Sequence, residues 1–130
     1  MQWLRRDLVT SPYHIGICLS ESSFERELKR LKVKRDQWPR FCNSGADAST
    51  HFLEQTGGIG LIAVVCLHPP KNKTGIQVAA LLVHEAIHIW QAIREDLGEK
   101  SPSSEFEAYS IQAISQSLMN GYVSERKRKR

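Results

Sequence analysis

A chain of 130 residues, 41% hydrophobic and 25% charged, is long enough for one ordinary core and too short for two independent domains. Its formal charge of +4 is local to one end: five of the 18 Lys and Arg are residues 126–130, and the other 13 face 14 acidic residues, a balance of −1. That excludes a body built as a basic surface and confines any affinity for polyanions to the tail.

The segment MQWLRRDLVTSPYH carries early basic residues without a following apolar run of signal-peptide length. No stretch reads as the roughly 18 uninterrupted apolar residues of a membrane span, so a soluble, cytoplasmic protein without membrane partners is expected. Cys18, Cys42 and Cys66 are odd in number and widely spaced, which suits neither a disulfide framework nor a CxxC zinc site; reduced core or near-core thiols are expected.

In chain order, residues 20–34 read as a helix, capped by Ser20 or Ser22, with Phe24, Leu28 and Leu31 at helical spacing among charges. Pro39 and the Asn43, Ser44, Gly45 run then predict a loop. A short strand from Ala48 to Leu53, a turn at Gln55 to Gly58 and a β-branched run from Ile59 to Leu67 read as a hairpin, ended by Pro69 and Pro70. A long helix follows from about Ile76 to Leu97, stopped by Gly98, and a last one from Pro102 or Ser104 to Met119, ahead of Asn120 and Gly121. The expected fold is a small α+β domain over residues 1–124, a short antiparallel sheet packed on an N-terminal helix, the long helix and a C-terminal helix. Residues 125–130 are expected to be a basic, disordered tail.

Within the long helix, His84-Glu85-Ala86-Ile87-His88 matches HExxH. Residues four apart lie one above the other on a helix, so the two imidazoles can close on one ion. At about 100° per residue, Ala79, Leu82, Val83, Ala86, Trp90, Ile93 and Leu97 share one arc, the expected core stripe, while His84, Glu85 and His88 fall on the other side among Gln77, Gln91 and Glu95, with Leu81 the apolar exception there. Histidines kept merely for packing would sit on the apolar arc.

A catalytic Zn2+ takes three protein ligands and keeps a fourth position for water. Glu95 is already roughly 10 Å along the helix axis from His88, too far to share an ion. Glu105 and Glu107 remain, and only one of them can face the metal, since residues two apart point about 200° from each other. Ser104 to Glu107 fits the S-x-x-E capping box, which gives Glu107 a structural task and makes Glu105 the better ligand. Against this, in a tight antiparallel helix pair the residue level with His88 lies nearer 111 than 105.

HEAIH on a long helix, preceded by a β-hairpin and followed by a helix opening E-x-E-A-Y, resembles the gluzincin metallopeptidases, in particular minimal one-domain versions such as short phage and prophage proteins. The likeness covers roughly residues 48–118; HExxH is its specific part and the ExxA element the weaker one. It implies a zincin-like fold, His84, His88 and Glu105 as zinc ligands and Glu85 as the general base. Where many gluzincins carry an acidic residue four positions after the glutamate ligand, this chain has Tyr109.

The function so implied is a zinc-dependent peptidase acting on a peptide or protein substrate, with zinc lowering the pKa of its bound water toward about 7 and Glu85 moving the proton. Tyr109, His51, His68 and Tyr13 are candidate donors to the reacting oxygen, and Ile59 to Leu67, if at the sheet edge, would receive an extended substrate. Two other readings stand beside it: a catalytically inactive zinc-binding interaction module, and a nucleic-acid-associated protein acting through the basic tail.

Overall fold

The computed structural model describes residues 1–4, 13–54, 61–68 and 71–128. Its elements are β1 (Gln2–Trp3), β2 (Tyr13–Cys18), α1 (Glu21–Arg30), a 3-10 turn (Arg35–Gln37), β3 (Ala48–Glu54), β4 (Leu61–Leu67), α2 (Gly75–Asp96) and α3 (Ser104–Arg128). The layout is the expected α+β one. The sheet, however, is mixed: the strands run β1-β2-β4-β3, with β2 parallel to β4 and the two outer pairings antiparallel. β1 and β2 are not among the expected strands, although in β2 Ile15 and Ile17 alternate with His14 and Gly16 as a half-buried strand should.

The hairpin pairing of β3 with β4 holds, Ala48 opposite Leu67 and Glu54 opposite Leu61; the turn read at Gln55 to Gly58 and the stop at Pro69 and Pro70 lie outside the described residues. The run from Leu61 to Leu67 is central, flanked by β2 and β3, so β4 is not an edge strand; among the described strands β3 and β1 are the two edges. A continuous apolar run is what a strand covered on both faces requires, and LIAVVCL is one.

Alternation along β4 divides the core in two. Ala63, Val65 and Leu67 meet Leu82, Ala86, Ile89, Trp90 and Ile93 of α2 and Ile114 and Leu118 of α3, while Ile62, Val64 and Cys66 meet Phe24, Leu28, Leu31 and Phe41. Each large side chain so enclosed contributes about 1.5–3 kcal/mol. Cys18 and Cys66 are buried and Cys42 is half-buried, all as free thiols; burial pushes the Cys66 and Cys42 thiols up from their ordinary range.

The helices begin where their caps stand. Ser20 accepts from the Ser23 N–H at the start of α1, and Thr74 and Gln77 form a reciprocal capping box on α2. Both end in Schellman turns: Val33 N–H bonds to Leu28 O with Lys32 at φ 59°, and Glu99 N–H to Arg94 O with Gly98 at φ 70°. Such a turn ends α1 short of the expected residue 34. By length and composition α2 is apolar enough to cross a bilayer; here one side of it forms the core against the sheet.

α3 corrects two expectations. It runs on through Asn120 and Gly121 to Arg128, so residues 125–128 are the last turn of a helix and not a separate tail. Gly121 is no stop signal. It is where α3 crosses the sheet, and a Cβ there would lie 2.5 Å from Leu4 Cδ2 and 3.0 Å from Ile17 Cγ2. Buried Glu125 meets the Met1 ammonium at 3.0 Å and Arg128 at 3.4 Å.

Candidate metal centre

His84, Glu85 and His88 converge as their spacing requires: their ligand atoms all lie within 4.8 Å of one another. The two imidazoles meet edge to face with Nε2 to Nε2 at 3.1 Å. Two nitrogens each about 2.0–2.1 Å from one tetrahedral ion would be about 3.3 Å apart, so the rings already stand at the separation of a chelating pair. Both are exposed, so an ion held there would be reachable from solvent.

Glu85 departs from the helical projection. It is 4% exposed and belongs to the buried side of α2, because it lies about 60° around the helix from Leu82 and that flank is covered by the edge strand β3. Thr50, on the α2-facing side of β3, donates its hydroxyl to Glu85 Oε1 at 2.9 Å. The other carboxylate oxygen, Oε2, is 4.0 Å from His84 Nε2. One oxygen is thus anchored and the other is turned to the imidazoles. The core stripe is Val78, Leu82, Ala86, Ile89, Trp90 and Ile93; Ala79 and Val83 are only partly covered and Leu97, at the helix end, is 41% exposed.

The third expected ligand is not brought in. Glu105 is exposed near the start of α3 and is not in the three-residue group. The reason is the side of α2 on which α3 lies. Trp90 donates its indole N–H to Glu107 at 2.9 Å and stacks edge-on with Phe106, and Arg94 reaches Glu107 at 3.8 Å. Trp90 is two positions from His88, about 200° around the helix, so α3 docks across α2 from the histidine pair. The capping assignment shifts as well: Ser103, not Ser104, caps α3 by accepting from the Phe106 N–H, and Glu107 serves Trp90 and Arg94 in place of a capping box.

Of the proposed donors to a reacting oxygen, His51 is on the opposite face of the sheet, bonded to Phe41 O and stacked on Phe24. Tyr109 is 65% exposed on α3, and His68 packs on Phe41. Only Tyr13 shares a hollow with His88, together with Asn43, Thr50, Phe52 and Gln91. Burial, then a hydrogen bond to Asp96, pushes its phenol up to about 12. A second cleft, of about 490 Å³, opens on the His84 side and is lined by Asp47, Lys73, Gln77, Leu81, His84 and Glu85 among others. Thr50 and Asp47 were not anticipated; nothing local in DAST marks them, since their partners Glu85 and Lys73 lie on or just before α2, more than 25 positions away.

Comparison with protein-family models, curated proteins and solved structures finds no match for this chain. The donor set itself fits a divalent ion with a preference for nitrogen ligands: two imidazoles at chelating separation and a carboxylate beside them.

Proposed function

We propose that the protein is a zinc-dependent peptidase in which His84 and His88 hold the ion and Glu85 is the general base. The observation that carries this reading is the divided environment of Glu85, anchored through one oxygen by Thr50 and facing the imidazole pair with the other. Zinc, when bound, supplies Lewis acidity, polarising a carbonyl and acidifying water. Glu85 takes a proton on Oε2 and returns it to the departing amine, while Thr50 prevents the carboxylate from rotating away. β3 pairs only with β4 among the described strands, so an extended peptide can add to its other edge and lie over Thr50 beside the histidines. The substrate strand is therefore assigned to β3 and not to the Ile59 to Leu67 segment.

The test is metal analysis of the purified chain together with cleavage of a mixed peptide library by wild type and Glu85→Gln. Near-stoichiometric zinc in both, with cleavage only by wild type, is expected. Zinc in both and cleavage in neither would favour an interaction module that uses the ion structurally.

A further inference from the structure

Two imidazoles leave a tetrahedral catalytic ion one protein ligand short. α3 cannot supply it from across α2, and the Thr50 hydroxyl is committed to Glu85. Asp47, like Glu105, stands outside the His84–Glu85–His88 group, but it lines the cleft that His84 and Glu85 share, and Glu105 does not. Asp47 stands immediately before Ala48, the first residue of β3, on the segment that carries Thr50 to Glu85. Its side chain is 60% exposed and is turned to Lys73 Nζ at 3.2 Å. Lys73 lines the same cleft.

We infer that Asp47 is the third zinc ligand and that Lys73 competes with the ion for its carboxylate. The inference rests on the reading of His84 and His88 as a metal-binding pair. An ion held by two neutral imidazoles keeps both its charges, so an anionic third ligand is favoured over a neutral one. A lysine–aspartate pair open to solvent on the Asp47 side is a weak contact, and moving Asp47 from a monovalent ammonium to a divalent ion requires rotation of a solvent-facing side chain and adjustment of the turn that bears it. The ligand then approaches from the N-terminal half of α2, beside His84, which leaves the hollow beside His88, Thr50 and Phe52 for the substrate.

The experiment measures the Zn2+ dissociation constant of the full chain, by competition with a chromophoric chelator, for wild type, His84→Ala, Asp47→Ala, Lys73→Met, the Asp47→Ala/Lys73→Met double variant and Glu105→Ala. Loss of a direct ligand should weaken binding by at least as much as loss of an outer hydrogen-bond partner, about tenfold or more for Asp47→Ala. Lys73→Met should tighten binding in the presence of Asp47 and do nothing in its absence, and Glu105→Ala should match wild type. Wild-type affinity in Asp47→Ala, or a Lys73→Met effect that persists without Asp47, overturns the inference; if His84→Ala has lost zinc in the same series, the histidine reading survives it. A wild-type chain that binds no zinc overturns both.

Discussion

A carboxylate as enclosed as that of Glu85, 4% exposed, costs free energy unless a donor meets it. Thr50 is that donor. Thr50→Val should therefore lower unfolding free energy by about 1–3 kcal/mol, read from urea titration, whereas Thr50→Ser should restore most of the loss; equal stability of the valine variant would mean that the contact contributes nothing. Glu85→Gln keeps the shape and removes the base, so it should retain zinc and lose roughly 10²–10⁴ in turnover of any peptide the wild type cleaves. At this scale the sequence was legible where chemistry is local. Four-residue spacing on a helix announces His84 and His88, but the approach of Thr50 and Asp47 depends on how β3 meets α2, which no neighbouring residue encodes. Glu105 lies outside the His84–Glu85–His88 group for a related reason: the side of α2 that receives α3 is chosen by the contact of Trp90 with Phe106 and Glu107, a matter of packing and not of helical spacing.

Among the elements, the helices and the β3–β4 pair follow from periodicity and caps, and those features were readable. What escaped was β2, a six-residue strand weakened as a signal by Gly16 in its interior, and the true length of α3. Asn120 and Gly121 look like punctuation in isolation. In the fold, Gly121 is a clearance between α3, Leu4 and Ile17. A helix interior would ordinarily gain up to about 1 kcal/mol from replacing glycine by alanine. Here Gly121→Ala should instead be neutral to destabilising, because Ile17 belongs to the sheet and gives little, and Gly121→Val should lose about 1–3 kcal/mol by overpacking. Thermal unfolding of the two variants checks this; a stabilised valine variant would show that α3 does not cross the sheet so closely.

For the molecule as a whole, Tyr13 couples the sheet to the end of α2 and makes stability fall in alkali. Its phenol is raised from the ordinary 10.0 to about 12 by burial, then by Asp96. The unfolded chain thus loses this proton first as pH rises, so the contribution of Tyr13 is fully present below pH 10 and is lost on the way to about 12, to a total on the order of 2 kcal/mol. Denaturant midpoints between pH 9 and 11.5 should decline less in Tyr13→Phe than in wild type; an identical decline would assign the alkaline loss to other groups.

The parallel contact at the centre of the sheet also sets how such a chain reaches its native state. Tyr13 must find Leu61 and Cys18 must find Cys66, pairings remote along the polymer, whereas β3 and β4 are near neighbours and α2 follows at once. Closure entropy is spent before remote contacts reward it, so high contact order slows folding. The hairpin with its adjoining helix is the natural nucleus and β2 the late arrival. In kinetic terms, truncating Ile17 of β2, which pairs with Val65, should chiefly accelerate unfolding, and weakening the Phe52–Ala63 rung should chiefly retard folding.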